Sequence, residues 1–208
     1  EHLFGTDLLG RDVLSRALHG GKHTLVIAAL ATLVAVIPGV LLGLLGVVSW
    51  ADRLVNILVN AVLAFPGLLL ALMIMTVLGQ GALPLLLATG LTQIAPCARV
   101  TGAAVFGVYP LGYVEAARGL GATRLRVIFA HVLPNILPTV LAYAAVIFAY
   151  AILNSAALSF LGLGGEPGIP DWGVMLYEGR QAFRTAPWIA AVPGLAIPAP
   201  VPTPTFPS

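Results

Sequence analysis

The stretch Glu115-Ala116-Ala117-Arg118-Gly119-Leu120-Gly121, followed by His131-Val132-Leu133-Pro134, decides how this chain is read. It is a charged island between two long apolar segments. A cluster of charges is not left in hydrocarbon, so the island is a loop in water and its flanks are membrane spans. Ala116 to Ala130 holds good helix formers, with Leu120, Val127 and Ile128 as an apolar stripe. The island, residues 109–134, is therefore expected to contain one or two short helices.

The composition supports a membrane protein. Of 208 residues, 59% are hydrophobic and 9% charged, and the mean hydropathy is +1.01. A soluble domain carries about 25% charged residues, so this chain cannot cover a water-facing surface. The net charge is +2 and there is no basic run, which argues against a nucleic-acid partner. Cys97 is the only cysteine, so no intrachain disulfide forms, and it reads as a small buried apolar residue. The start of the chain shows no secretory signal.

Outward from the island, the apolar runs define the spans. Residues 1–23 mix charges and glycines, with Leu8, Leu9, Val13, Leu14 and Leu18 on one helical face, and read as an amphipathic lead-in at the membrane surface. Thr24 to Ala51 carries no charge and makes one span, with Pro38-Gly39 as a kink site. Trp50 suits an interface, and Asp52-Arg53 a short loop. Leu54 to Ala98 is charge-free but too long for one span. Gly79-Gln80-Gly81 is its natural break, giving spans near 55–78 and 83–108, interrupted by Pro66-Gly67 and Pro96.

After the island, a span covers 135–163 and ends at Gly162 and Gly164-Gly165. A polar loop at 164–186 carries Pro167, Pro170, Asp171, Trp172, Glu178, Arg180 and Arg184. Pro187 to Ile197 begins a last span too short to cross. Residues 198–208 have proline at nearly every second position, which excludes a helix and predicts an extended or disordered tail. The expected fold is all-α: a polytopic bundle of about four complete spans plus a truncated last one. Its parts are the lead-in 1–23, a transmembrane domain 24–197 and the tail 198–208. Arg53, Arg99, Arg118, Arg124 and Arg126 fall on one side or at its border, and Arg11, Arg16, Lys22, Arg180 and Arg184 on the other. That tie leaves orientation undecided by positive charge.

The chain resembles the permease subunits of ABC importers, in the dipeptide, oligopeptide and nickel branch. The resemblance rests on an ordered series of motifs covering roughly residues 2–197. They are His2-Leu3-Phe4-Gly5-Thr6-Asp7, Gly10-Arg11-Asp12-Val13-Leu14-Ser15-Arg16, Leu63-Ala64-Phe65-Pro66, Tyr113-Val114-Glu115-Ala116-Ala117-Arg118, His131-Val132-Leu133-Pro134-Asn135, Ala156 to Gly164, Asp171-Trp172-Gly173 and Glu178-Gly179-Arg180. It implies a type I importer bundle in a bacterial inner membrane. The implied partners are cytoplasmic ABC ATPase subunits, a second homologous permease subunit, an extracytoplasmic solute-binding protein and the lipid bilayer. It also orients the chain, with the lead-in outside the cytoplasm and 109–134 inside. Members of the branch carry a further span before the His2 region and complete the last one, so this sequence reads as a truncated or partial permease. A secondary transporter, an intramembrane enzyme and a non-transporting structural subunit are the other readings. The spans lack the acidic groups or Lys of the first and any catalytic set for the second.

The resemblance makes Glu115, Ala116, Ala117, Arg118, Gly121, Leu133 and Pro134 the ATPase-coupling residues. Small side chains let a short helix seat closely in a partner's groove, and Gly121 permits a sharp turn. Glu115 suits either a partner's donors or the N-terminus of its own helix. Arg118, Arg124 and Arg126 suit acidic partner groups or anionic headgroups equally. Asn56, Asn60, Thr89, Gln93, Tyr143, Asn154 and Ser155 are polar groups in apolar spans, which either line a pathway or bond between helices. Gln93 and Asn154, with the larger amides, are the pathway candidates. Asp171, Trp172 and Glu178 are candidate contacts for a docked binding protein, with Trp172 alternatively an interfacial anchor. His2, His19, His23 and His131 lack zinc-ligand spacing, Ser15, Ser155 and Ser159 lack a hydrolase context, and no Walker motif is present. No catalytic residue, metal or cofactor is assigned, and ATP hydrolysis is expected from a separate chain.

Overall fold

The computed structural model describes residues 4–45, 49–164, 169–184 and 186–198, with side chains throughout except at 49–52 and 181. Among these residues every regular element is helical, and the extended pairing is an isolated bridge between Thr6 and Asp12. The helices are α1 (Val13–Leu44), α2 (Ser49–Leu63), α3 (Gly67–Leu78), α4 (Ala82–Thr92), α5 (Ile94–Val108), α6 (Gly112–Gly119), α7 (Arg124–Val127), a π turn (Ile128–Val132), α8 (Leu133–Phe160), α9 (Trp172–Gly179), a 3₁₀ turn (Arg180–Ala182) and α10 (Trp188–Ala196). Three stretches are long and apolar enough to cross a bilayer: Val13–Leu44, Ala82–Val108 and Arg124–Phe160. A fourth exists if the bent pair Arg53–Leu63 and Gly67–Leu78 counts as one span.

Four boundaries differ from the sequence reading. The first helix starts at Val13 rather than Thr24, so the second half of the lead-in extends the first span. Asp52 and Arg53 lie within α2 rather than in a loop. The span expected at 55–78 is two helices bent by 88°. Pro66 has no N–H to continue α2, and it disfavours helical geometry at Phe65. Finally, the island ends at Thr123, because Arg124–Phe160 runs as one helical stretch. Pro134 cannot donate to the preceding turn, and the chain widens there into the π turn, where the Leu133 N–H reaches back to the Ile128 carbonyl. The expected break at Gly79–Gly81 is present, with both glycines at positive φ. α10 spans nine residues and contains Pro193, too short to cross. The tail beyond 198, the Trp50 side chain, Gly165 and Pro167 lie outside the described residues.

Side-chain packing runs opposite to that of a soluble protein. On α1, Thr24, Ala28, Ala31 and Ala35 face inward and are almost fully buried, while Val26, Leu30, Leu33, Ile37 and Leu41 point outward. Small residues inside let helix backbones approach, and large apolar residues outside match hydrocarbon or a partner helix.

The chain divides into two compact units. The first contains residues 4–31, 70–89 and 148–198. Its core joins Ala28, Ala31, Ile152, Ala156 and Trp172, a second group around Met75, Leu85 and Leu158, and a third of Val13, Ala17, Met175 and Ile189. The second contains residues 32–69 and 90–147. Its main cluster is Leu44, Val105, Val114, Val127, Ile128, Val132, Ile136 and Val140.

Candidate functional site

The expected coupling residues lie in the second unit, at its Glu115 end. Val114 is fully buried in the main cluster together with Val127, Ile128 and Val132, which anchors α6 to the rest of the unit. Two alanines and two glycines of α6 leave its outer face low, and Glu115, Ala116 and Arg118 are exposed on it while Ala117 is half-buried. α6 begins after Leu111, with no side chain capping its first turn. Glu115 sits within that turn, where its carboxylate opposes the positive end of the helix dipole.

The helix stops by backbone geometry. Gly121 adopts φ +85°. Its N–H donates to the Arg118 carbonyl, and the Ala122 N–H donates to the Ala117 carbonyl, the paired bonds of a Schellman stop. An L side chain at this φ meets its own backbone, which costs about 1–2 kcal/mol. Thr123 then caps α7, its hydroxyl accepting from the Arg126 N–H at 3.4 Å.

The turn presents Leu120 outward at 90% exposure, with Leu125 also exposed. This corrects the apolar stripe read from sequence. Leu120 points away, while Val127 and Ile128 face the core, because the Gly121 turn rotates the chain between them. Arg118 folds back so that its guanidinium lies 5.1 Å from the Tyr109 ring centroid, and Tyr113 leans on His131 at 6.3 Å. Leu133 packs half-buried against the main cluster, and Pro134 is exposed at the start of α8. Glu115, Ala116, Ala117, Arg118 and Gly121 thus lie on one helix and its closing turn, and Leu133 packs against the cluster that holds Val114.

The two pathway candidates are not brought together within one unit. Gln93 precedes α5 in the second unit, and Asn154 lies on α8 in the first; each is half-buried.

Polar residues near the Val13 end of α1 form an internal lattice in the first unit. Asp171 is buried and caps α9, accepting from the N–H groups of Gly173 and Val174 at 2.6 and 3.1 Å. Its other oxygen accepts from the Ser159 hydroxyl at 2.8 Å. The Trp172 indole N–H donates to the Ala17 carbonyl at 2.8 Å, and the ring is buried. Gly173 must be glycine, because a Cβ there would stand 2.5 Å from the Ala156 carbonyl oxygen. Asp171 and Trp172 are therefore enclosed and unable to contact a docked protein, which corrects that expectation. The enclosure also removes Trp172 as an interfacial anchor.

Sequence reasoning missed a four-membered ion cluster beside this lattice. Asp7 accepts from the N–H groups of Leu9 and Arg11, from the Arg11 side chain at 2.7 Å, and from Arg16. Arg16 also reaches Glu178 at 2.8 Å. Burial pushes the Asp7 carboxyl up, but the hydrogen bonds from Arg11, Leu9 and Arg16 outweigh it and hold it below its ordinary 3.8. A depressed carboxylate contributes stability that is complete above 3.8 and is lost as pH falls through the lowered value. The melting temperature of the detergent-solubilised protein is expected to drop below about pH 4, and Asp7→Asn should flatten that drop while melting lower at pH 7. An acid limb of equal depth in both would show that Asp7 does not drive it.

The fold is one already seen in importers. The chain matches, with a TM-score of 0.75 and 20% identity, a structure titled as an inward-facing conformation of the MetNI methionine ABC transporter, covering 88% of this chain and 89% of that one. An amino acid ABC transporter with histidines matches at a TM-score of 0.68 and 20% identity, over 88% of each chain. Among curated proteins it is 42% identical over 197 residues to the di/tripeptide transport system permease protein DppC of Pseudomonas aeruginosa, covering 94% of this chain and 65% of that protein. It is 36% identical to the glutathione transport system permease protein GsiD of Pectobacterium atrosepticum, over 94% of this chain and 66% of that one. The chain thus spans about two thirds of the length of the curated relatives it matches. The family described as the binding-protein-dependent transport system inner membrane component matches residues 25–198. Spans packed through small residues and a short exposed helix closed at Gly121 agree with that match over most of the sequence, and the chain belongs to this family of inner membrane transport components.

Proposed function

We propose that this chain is a membrane-spanning permease subunit of an ATP-driven importer for peptides, in a bacterial inner membrane. The observation that carries this reading is α6: a short helix bearing Glu115-Ala116-Ala117, anchored by Val114 and stopped at Gly121 so that its outer face and Leu120 stand free. A low face rimmed by exposed apolar side chains, Leu120 the most exposed, suits a partner's groove. Relatives named as di/tripeptide and glutathione permeases support peptides as the cargo. In this reading cytoplasmic ABC ATPase subunits dock on α6, a second homologous permease subunit completes the pathway, and a solute-binding protein delivers substrate outside. The chain itself performs no covalent chemistry. ATPase closure moves α6, and the continuous Arg124–Phe160 helix carries that motion into the spans.

The test is uptake of a labelled dipeptide into vesicles holding the assembled complex. Accumulation that requires ATP and the binding protein is the expected result. Accumulation driven by a proton gradient without ATP would replace this reading with secondary transport.

A further inference from the structure

Arg99 is the single charged residue between Leu54 and Val114. The sequence reading set it within a span near 83–108, toward its charged border, and the structure places it on the Ala82–Val108 stretch. It lies nine residues before the Val108 end of α5, about 14 Å along the axis at 1.5 Å per residue. Its partner Asn60 lies on α2, eleven residues after Ser49 and about 16 Å along that axis. Both side chains are exposed on the surface of the second unit. The guanidinium NH1 donates to the Asn60 side-chain oxygen at 2.8 Å.

Asn60 is neutral and engages one of the five guanidinium donors. Among the described residues no carboxylate is ion-paired with Arg99. A cation carried on an apolar span and held by an uncharged neighbour suits an anion from elsewhere. The second unit also offers room for one. A cleft of about 270 Å³ opens beside Arg99, lined by Gly43, Val55, Asn56, Gly102 and Phe106 among others. Gly102 has open space beside it, Gly43 is packed closely against Thr101, and Val55 and Phe106 supply apolar walls. A carboxylate fits the planar guanidinium fork in two parallel hydrogen bonds.

We propose that Arg99, positioned by Asn60 on the Ala82–Val108 stretch, is a carboxylate-recognition site that takes the C-terminal carboxylate of a transported peptide. The inference rests on the peptide-import reading above. It assigns to the permease a selectivity of its own, separate from that of the binding protein. Asn60 acts as a positioning residue, orienting the fork toward the cleft.

The test measures equilibrium binding of a fluorescent tripeptide, as free acid and as C-terminal amide, to the purified permease–ATPase complex without binding protein. The native complex is expected to bind the acid at least tenfold more tightly than the amide. Arg99→Gln should erase the preference, Arg99→Lys should restore part of it, and Asn60→Ala should reduce it. Equal binding of acid and amide by the native complex overturns the proposal and needs no variant to fold. So does a preference that survives Arg99→Gln. Loss of assembly in Arg99→Gln, with acid and amide bound alike before it, identifies Arg99 as paired with a carboxylate of a neighbouring membrane subunit instead. Dipeptide uptake by the native complex separates the two levels. If peptides are imported but acid and amide bind alike, this inference alone fails. If no peptide is imported, the peptide reading fails and the inference with it.

Discussion

Replacing Asp171 with alanine is expected to destabilise the first unit by about 3 kcal/mol, the sum of a lost helix cap and of buried donors left unpaired. Three donors converge on this carboxylate: the N–H groups of Gly173 and Val174 and the hydroxyl of Ser159. The carboxylate is buried, so water does not take its place in the variant. Asp171→Asn is the informative control. Its amide oxygen still accepts the two N–H groups, and its NH₂ donates to the Ser159 oxygen once that hydroxyl turns. The asparagine variant should therefore melt within a few degrees of the native protein, and the alanine variant far below it. Thermal unfolding in detergent measures both. Equal melting of the alanine variant and the native protein would mean that the α9 cap does not hold this unit together.

The second large effect is expected at the tip of α6. Leu120→Asp removes the one large apolar side chain on that turn and puts a charge where an apolar anchor would seat. Loss of such an anchor costs about 2 kcal/mol or more, roughly a thirtyfold weaker association with the ATPase subunits. Gly121→Val acts by a different route. At φ +85° a β-branched residue is disfavoured, so the Schellman stop opens and Leu120 is no longer presented. Both variants should insert in the membrane and bind peptide normally, because Val114 and the main cluster are untouched. Titration of the ATPase subunits onto permease in nanodiscs, with substrate-stimulated hydrolysis in parallel, reads the effect. Native affinity in Leu120→Asp would remove α6 from the docking surface and undercut the coupling reading.

The two regions differ in how far they could be read without coordinates. Hydropathy and backbone restrictions are local properties. The charge-free runs therefore located the apolar helices, Gly79–Gly81 marked a true break, and Gly121 marked a true turn. Local patterns also erred where two signals competed. Arg124 and Arg126 suggested that the loop continued, yet a helix carries charges in its first turn once it projects from the membrane, so Arg124–Phe160 runs on. Leu120, Val127 and Ile128 matched a helical stripe only because the sequence pattern does not show the left-handed residue between them.

What the sequence alone determined was an all-helical membrane bundle with a short water-exposed helix closed at Gly121, since those follow from hydrophobicity and from the φ that glycine alone adopts freely. Tertiary structure decided which polar residues are partners. Asp171 meets Ser159 twelve positions away, Arg16 meets Glu178 across 162, and Arg99 meets Asn60 across 39. Such pairs depend on which helix faces pack together, and helix packing is set by the small residues of several segments at once rather than by any one stretch of chain.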